Sequence, residues 1–445
     1  MKRIAATLSL LCALCLWLGA QNRDAFEEIR LDPHKACTVF NMYDHDIPAC
    51  AKPPKGYKSV YISHYGRHGA RNHSSSSDFA LLDGLFREAA EKGILTEAGK
   101  QCAESYAAVY ATLKGRQGDL CDRGFEQQYR IAGNMYRNHR HLFRGKARID
   151  AVSTIVPRCI LTMSAFCDEM LRRNPALGIS KQSSEATMYY LNPFSLYNPD
   201  VKPTDEGYNN KSAYWQKDFH ALRERLLQPE AIFGQFFTDP AFFSGYGDPI
   251  KLENAFYAIA GSLQCNGQCS DDLLRYIPYD ELCRLHECYN FRFYTSKGPD
   301  TLYQKGRQWA FSWRTMQDIL DKADVDLASG EYAARLRFGH DIIVMSLFAL
   351  LDIDGYDKPA GSIEEIKDVW RAYDFPMSLN VQFIFYRNCK GDTLVRLLYN
   401  ERDLALPIPD CGTPFFYRYD DFRRFAAERI SLARSIIAST QAPPK

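Results

Sequence analysis

The sequence predicts an α/β fold in which helices cover both faces of a mostly parallel sheet, with a mainly helical cap domain inserted beside it. Short apolar strands that run directly into helices, separated by amphipathic helices, predict the parallel sheet. A long stretch rich in Tyr, Phe, Asn and Pro interrupts this alternation and predicts the insertion. The 445 residues suffice for one core with a large insertion, or for two to three ordinary domains.

Three segments read as a strand followed by a helix. Residues 59–63 and 149–153 are short, nearly continuous apolar runs, as expected of strands covered on both faces. Pro157 follows the second run at a position where the first turn of a helix tolerates proline. Residues 332–339 form the third predicted strand and lead into an apolar helix over 342–351 that must be largely buried.

Further elements complete the predicted core. Amphipathic helices are expected over about 96–113 and 124–143, between the first two strands. Residues 379–385 and 394–399 flank a turn-like segment and predict a hairpin. A last helix is expected over about 420–437, with its apolar residues on one face.

The predicted domain organisation divides the mature chain into a discontinuous core and one insertion. The α/β core comprises 21–175 and 316–445, and the cap comprises 176–315. Within the cap, residues 211–227 and 249–263 have helical patterns.

The first 20 residues have the pattern of a secretory signal peptide. Lys2 and Arg3 supply the positive start, residues 4–18 are apolar, and small residues precede Gln21. A membrane anchor is the alternative, but the apolar run is short for a membrane span. We therefore expect an exported protein, periplasmic or secreted, whose mature part has no membrane span.

The cysteines fit an oxidising compartment. Of the 14 cysteines, two lie in the leader and 12 follow it. Export and an even number predict disulfides, with Cys389–Cys411 expected and Cys265–Cys269 and Cys283–Cys288 proposed less firmly. Zinc binding by the last two pairs is the alternative, although neither has the CxxC spacing.

The overall charge excludes some classes of partner. The formal net charge is +1, so the whole molecule gives no electrostatic reason to bind nucleic acid or membranes. Any anion must be bound by a local cluster of positive charge, and no obligatory protein partner is indicated.

The segment Arg67-His68-Gly69-Ala70-Arg71 directly follows the first predicted strand. Ligands of open α/β sheets bind beyond the carboxyl ends of the strands, which is where this segment lies. Guanidinium groups match phosphate oxygens, and they disfavour protonation of a neighbouring imidazole. A neutral ring nitrogen can attack phosphorus, so the segment indicates a phosphoryl-transfer site rather than a basic surface loop.

This segment resembles the signature of the histidine phosphatase superfamily. His340-Asp341, after the third predicted strand, resembles the His-Asp pair of the histidine acid phosphatases, a branch that includes phytases and multiple inositol polyphosphate phosphatases. Arg158, after the second predicted strand, matches the position of another phosphate-binding arginine of that family. The resemblance extends from about residue 59 to residue 427.

The resemblance implies a role for each of these residues. His68 would be the nucleophile, and Asp341 would protonate the leaving alkoxide. His340 would donate a hydrogen bond to the phosphate, which three arginines would clamp: Arg67, Arg71 and Arg158. Three arginines can neutralise a phosphate without a metal, so no metal or other cofactor is expected.

The sequence also departs from the family pattern. Many members have proline two residues after the second arginine of the motif, where this chain has His73, within the segment 72–77. This difference affects the loop that faces the substrate, not the chemistry. A phytase-like subgroup has His-Ala-Glu where this chain has His340-Asp341, so the motif alone does not imply inositol phosphates as substrates.

Other basic residues allow two interpretations each. His64 could orient the site or lie satisfied at the end of the strand, and His73 could touch substrate or be solvated. His139 and His141 are predicted to lie on the surface. Four residues of the insertion could bind further phosphates or form a solvated helix face: Lys211, Lys217, Arg223 and Arg225.

Three functions are compatible with these motifs. The favoured one is an exported phosphomonoesterase that acts through a phosphohistidine intermediate on a small phosphomonoester, with inositol phosphates as one possible substrate. A phosphotransferase like phosphoglycerate mutase shares the Arg-His-Gly segment, but its substrates are cytosolic. A non-catalytic protein that binds a phosphorylated ligand is the third hypothesis.

Overall fold

The computed structural model describes residues 24–43, 46–47, 50–201, 215–269, 272–303 and 306–440. The predicted signal peptide, residues 1–20, lies outside the described residues, and so does Lys211.

An eight-stranded sheet forms the centre of the molecule. Its order is β3-β2-β4-β1-β5-β6-β7, and β8 pairs with β6. The four strands β3, β2, β4 and β1 are parallel, whereas β5 is antiparallel to β1 and starts an antiparallel edge. The bounds are β1 Lys58–Arg67, β2 Arg148–Ser153, β3 Gly178–Ser183, β4 Ala334–Gly339, β5 Asn380–Arg387, β6 Thr393–Tyr399, β7 Arg402–Leu404 and β8 Tyr417–Arg418.

Both faces of this sheet are buried. In β1, Tyr61 and Tyr65 belong to one apolar cluster, whereas Ile62 belongs to a second cluster on the opposite face. Successive side chains of a strand point to opposite faces, so the two clusters are the cores above and below the sheet. The structure thus confirms the predicted α/β class with helices on both faces.

Helices supply the covering layers and the insertion. Five belong to the first half of the chain: α1 Ala25–Leu31, α2 Ser76–Glu91, α3 Glu97–Leu113, α4 Asp122–Asn138 and α5 Pro157–Arg173. Seven follow: α6 Met188–Leu191, α7 Gln216–Leu226, α8 Pro229–Phe233, α9 Ala241–Tyr246, α10 Pro249–Ser262, α11 Tyr279–Lys297 and α12 Arg307–Ala310. The last four are α13 Trp313–Ser329, α14 Asp341–Leu350, α15 Ile366–Val369 and α16 Tyr419–Thr440.

The described residues also form five 3₁₀ segments between these elements: Pro33–Phe40, Glu185–Thr187, Leu263–Cys265, Leu273–Tyr276 and Ala372–Asp374. None of the helices in the described part of the chain is both long and apolar enough to cross a membrane.

The strand β3 was not predicted from the sequence. It lies at the edge of the sheet and its side chains are mostly exposed, so Gly178–Ser183 carries no apolar run. The strand falls within the predicted insertion, but it pairs with β2 along its whole length.

The structure shows none of the predicted disulfides, since no two of the described cysteines are bonded to each other. Cys283 and Cys288 lie five residues apart on α11, which turns their side chains about 140° from each other around the helix axis. Cys265 Sγ instead contacts the carbonyl oxygen of Phe40, at 3.6 Å. Cys389 is exposed, while Cys411 packs against the apolar cluster that contains Ile62.

The prediction that His139 and His141 lie on the surface is wrong for His139, which is buried. Ser59 Oγ lies 3.0 Å from His139 Nδ1 and 3.1 Å from His141 Nε2. All three line a cavity of about 630 Å³ at the end of β1 opposite the Arg-His-Gly segment. The helical pattern identified α4 correctly but not the loop after it, which folds back onto β1.

Candidate active site

The Arg-His-Gly segment leaves the sheet at the carboxyl end of β1. The backbone N–H of His68 donates to the carbonyl of Gly339 at the end of β4, at 3.0 Å, and Ser378 N–H donates to the carbonyl of His68, at 3.1 Å. Because β1 and β4 are parallel neighbours, this pairing brings residues 67–71 next to His340 and Asp341. The two motifs that are far apart in sequence therefore form one site.

The imidazole of His68 is held in a defined tautomer. Its Nδ1 atom lies 2.9 Å from the carbonyl oxygen of Gly69. A carbonyl oxygen only accepts hydrogen bonds, so Nδ1 carries the hydrogen and Nε2 carries the lone pair. This arrangement leaves the lone pair of the ring on Nε2.

The surroundings of His68 keep the ring neutral. The side chain is buried, and burial lowers its pKa well below the ordinary value of a histidine. The guanidinium groups of Arg67, Arg158 and Arg71 lower the pKa further, and His340 adds a smaller effect. The ring therefore keeps its lone pair even in mildly acidic solution.

The His340 ring stands edge-on to the His68 ring. The centroids of the His68 and His340 rings are 5.7 Å apart with an interplanar angle of 76°. His340 is the N-cap of α14, and burial, followed by Arg158, lowers its pKa to about 4. Its backbone N–H donates to Tyr65 Oη at 3.3 Å, which fixes the start of the helix. The N-terminus of α14 thus faces the site, and a helix N-terminus favours bound anions.

Arg67 is engaged by the protein itself. It is 1% exposed, and its Nη1 atom donates to the carbonyls of Val39, at 2.6 Å, and Phe375, at 3.1 Å. Its Nη2 atom lies 3.1 Å from Asp341 Oδ2 in an ion pair. Arg67 therefore positions Asp341, a contact that the sequence analysis did not anticipate.

Arg71 and Arg158, together with Arg67, place positive charge around His68. The Arg71 guanidinium lies 4.9 Å from the centroid of the Phe40 ring, and its Nη1 atom donates to the carbonyl of Asn72 at 2.8 Å. Burial, followed by Arg158 and Arg67, lowers the pKa of Arg71 to about 10.

The Nε–H donors of all three arginines are buried and have no hydrogen-bond partner among the residues that the structure describes. Buried donors are normally satisfied. These three, together with their combined effect on His68, fit a site that binds an oxyanion.

Close backbone contact holds the segment in place. A Cβ atom added to Gly69 would lie 2.6 Å from the carbonyl oxygen of Gly124 on α4, so only glycine fits here. The N–H of Gly69 donates to Thr162 Oγ1 at 3.0 Å, and this hydroxyl donates to the carbonyl of Arg158 at 2.7 Å. The loops that carry His68 and Arg158 are thereby coupled.

Sequence reasoning missed a polar network beneath the site. Gln127 Oε1 accepts from the N–H of Ala70, at 3.0 Å, and from Ser378 Oγ, at 2.6 Å. Ser378 also accepts from Gln128 Nε2 at 3.0 Å, and its φ is 60°, in the left-handed region. Nothing in the sequence pattern marks these residues, because a lone glutamine or serine carries no spacing signal.

A cavity of about 410 Å³ opens beside Arg71 towards the inserted helices. His73 lines it and lies 2.8 Å from Asp78 through its Nε2 atom. Three further cations line the same cavity: Arg223, Lys251 and Arg292. Of the four basic residues singled out in the insertion, Arg223 reaches the cavity, whereas Arg225 forms an exposed ion pair with Glu364.

His64 lies away from the reacting groups. Its ring is buried between Phe166 and Phe338, with centroid distances of 5.3 Å to each. Burial lowers its pKa to about 3. His64 is therefore a histidine of the apolar core.

The fold is shared with solved phosphatase structures. The multiple inositol polyphosphate phosphatase of Bifidobacterium longum, in complex with phosphate, gives a TM-score of 0.73 at 19% identity, covering 89% of this chain and 98% of that chain. The same enzyme with inositol hexasulfate gives 0.71 at 18% identity, with the same coverage. The phytase of D. castellii gives 0.63 at 12% identity, covering 89% of this chain and 85% of that chain.

No protein-family model and no curated protein sequence matches the chain. The structural relatives cover the core and the insertion alike, and they are phosphatases of the kind that the two motifs indicated. The chain therefore has the fold of the histidine acid phosphatases, which include these inositol polyphosphate phosphatases and phytases.

Proposed function

We propose that the protein is an exported phosphomonoesterase that works through a phosphohistidine intermediate. The observation that carries the proposal is the state of His68, a buried neutral imidazole whose Nδ1 is bound to the Gly69 carbonyl and whose Nε2 is free to attack. Three buried arginines with unpartnered Nε–H donors surround it.

The first step transfers the phosphoryl group to His68. Its Nε2–phosphorus bond forms while the bond from phosphorus to the ester oxygen breaks, and Asp341 gives its proton to the departing alkoxide. Arg71, Arg158 and His340 stabilise the charge on the equatorial oxygens. Phosphoryl transfer depends mainly on positioning and on neutralisation of charge, and these fixed groups supply both.

The second step releases phosphate. A water oxygen bonds to phosphorus, the phosphorus–Nε2 bond breaks, and the Asp341 carboxylate takes the proton of the water. The Arg67 guanidinium, 3.1 Å from Asp341 Oδ2, keeps the Asp341 side chain beside the reacting atoms, as the acid in the first step and as the carboxylate in the second.

We propose that the substrate carries several phosphates, as inositol phosphates do. The support is the cavity beside Arg71, where Arg223, Lys251 and Arg292 could receive anions other than the one that reacts. The relative from B. longum, which has the same fold, is described in complex with inositol hexasulfate.

A substrate panel tests this proposal. Wild-type protein is assayed with inositol hexakisphosphate, glycerol 2-phosphate and p-nitrophenyl phosphate, with phosphate release measured against intermolecular transfer. We expect release from all three and the highest kcat/KM for the hexakisphosphate. Dominant transfer between substrates would instead indicate a phosphotransferase, and the absence of turnover would indicate a binding protein.

Matched variants test the cavity. Lys251→Met and Arg292→Met should raise KM for inositol hexakisphosphate by roughly tenfold each and leave p-nitrophenyl phosphate almost unchanged, since each removes one charged contact. Arg225→Met is the control, because Arg225 is exposed and paired with Glu364. Equal effects on both substrates would contradict a role in binding additional phosphates.

A further inference from the structure

Lys297 is a buried cation that the proposed chemistry does not use. It is the last residue of α11 and only 7% exposed. Ser346 Oγ donates to the carbonyl of Lys297 at 3.0 Å, which fixes the end of α11 against α14, the helix that begins with Asp341. Helix α11 thus ends, at Lys297, against the helix that begins with Asp341.

The ammonium group of Lys297 has no ion-pair partner among the described residues. Its Nζ atom lies over the ring of Phe194, 3.7 Å from the centroid. Burial lowers the pKa of Lys297 to about 7, Asp341 opposes this shift, and Arg292 adds slightly to it. A buried cation without a carboxylate partner is costly to the fold, so an anion that pairs with it would be bound favourably.

Lys297 continues the face of α11 that lines the cavity already described, without lining the cavity itself. Tyr289 and Phe293 line that cavity, and Lys297 follows at the same spacing of four residues. Residues four apart lie one above the other on a helix face. Tyr289, Phe293 and Lys297 therefore lie in one row, which runs from the cavity to the end of α11. That end contacts the helix that begins with Asp341.

We propose that Lys297 binds an anionic substituent on the alcohol that leaves, and that it thereby selects alcohols that carry a further phosphate close to the one that reacts. This inference rests on the proposed function. His68 attacks phosphorus in line with the leaving oxygen, and Asp341 protonates that oxygen. The alcohol therefore lies on the Asp341 side, and the end of α11 that carries Lys297 packs against the helix that begins with Asp341.

The test compares two substrates in one variant. In Lys297→Met, the ratio of kcat/KM for inositol hexakisphosphate to kcat/KM for p-nitrophenyl phosphate should fall roughly 30-fold, the cost of truncating one partner of a buried charge pair. The ratio does not depend on the fraction of active protein. Lys297→Arg should keep most of the preference, and Lys100→Met, an exposed lysine on α3, should leave the ratio unchanged.

An unchanged ratio in Lys297→Met would overturn the proposal, even if both rates fell. If this variant does not fold, Lys297→Gln replaces it, because it keeps much of the side-chain stem. Failure of the proposed function gives a different result, in which wild-type protein hydrolyses neither substrate. In that case the binding of inositol hexasulfate relative to inorganic sulfate is measured, and an equal loss for both ligands on Lys297→Met would overturn the proposal.

Discussion

The proposed chemistry depends on which nitrogen of the His68 ring carries a proton. The hydrogen bond from His68 Nδ1 to the Gly69 carbonyl fixes the tautomer, and the surrounding guanidinium groups oppose protonation of Nε2. The positive charge that would neutralise a phosphate is the same charge that keeps the nucleophile neutral. Under the proposed function, one arrangement of arginines would thus both bind the phosphate and keep His68 neutral.

At the same scale, Asp341→Asn should slow the hydrolysis of substrates with poor leaving groups more than that of substrates with good ones. An alkoxide from glycerol or inositol needs a proton, and general acid catalysis contributes about 10²–10⁴-fold. Nitrophenolate leaves readily without one. The kcat/KM for alkyl phosphates should therefore fall by orders of magnitude and the kcat/KM for p-nitrophenyl phosphate much less. This ratio reports the steps up to departure of the alcohol and not the later release of phosphate, which is the same for all substrates.

The ion pair between Arg67 and Asp341 calls for a control in that experiment. Asparagine removes the charge that faces Arg67, so thermal unfolding and inhibition by vanadate are measured for the same protein. Vanadate inhibition close to the wild-type value would show an intact oxyanion site. Equal slowing of alkyl and aryl substrates would assign Asp341 to shaping the site rather than to proton transfer.

The candidate site was predictable where its residues belong to motifs. The sequence identified six residues, and the structure brings all six into one electrostatic cluster: Arg67, His68, Arg71, Arg158, His340 and Asp341. The contact of Arg67 with Asp341 and the position of Lys297 were not predictable, since each depends on packing between segments distant in sequence. The roles of these residues remain predictions.

At the scale of elements, the close approach of α4 to the Arg-His-Gly segment requires glycine on both sides. A Cβ added to Gly124 would lie 2.9 Å from the backbone nitrogen of Ala70 and closer still to its oxygen. Gly124→Ala should therefore destabilise the protein by about 1–3 kcal/mol and lower kcat, because backbone has to shift. Urea unfolding and kinetics on p-nitrophenyl phosphate measure the two effects.

Gly245→Ala on α9 is the matched control. Nothing lies within 4 Å of the Cβ it would add, so it should be neutral or stabilise the helix by up to about 1 kcal/mol. Wild-type stability and activity in Gly124→Ala would show that the helix and the loop can separate at no cost, contrary to the close contact described above.

Elements with a strong apolar pattern were predicted and weakly patterned ones were not. The predicted helix over 96–113 corresponds to Glu97–Leu113, and the predicted helix over 342–351 to Asp341–Leu350. The edge strand Gly178–Ser183 has mostly exposed side chains, so pairing rather than pattern defines it. The predicted disulfides rested on cysteine number and compartment, which do not determine distances between side chains.

For the whole molecule, several buried histidines predict acid sensitivity. Burial lowers the pKa of His139, His286 and His340 to about 4 each, and that of His64 to about 3. Below about pH 6.5 the unfolded chain binds protons that the folded chain does not bind. Stability should therefore fall as pH decreases from about 6.5 towards 4.

His286→Phe tests this reading of acid stability. The His286 ring is buried and lies 5.4 Å from the Tyr373 ring, so phenylalanine fills the same space. The variant should lose about 1.4 kcal/mol per pH unit from the slope of unfolding free energy between pH 6 and 5. Urea unfolding measures the slope, and an unchanged slope would show that His286 is not neutral in the folded protein.

The central claim, that His68 carries the phosphoryl group, is tested most directly by trapping it. Wild-type protein is mixed with p-nitrophenyl phosphate for milliseconds and quenched in alkaline denaturant, since the phosphorus–nitrogen bond survives in base, and peptides are then mapped by mass spectrometry. The account predicts phosphate on His68, none in His68→Ala, and no turnover by that folded variant. Phosphate on another residue such as Ser74, or turnover by His68→Ala, would contradict it.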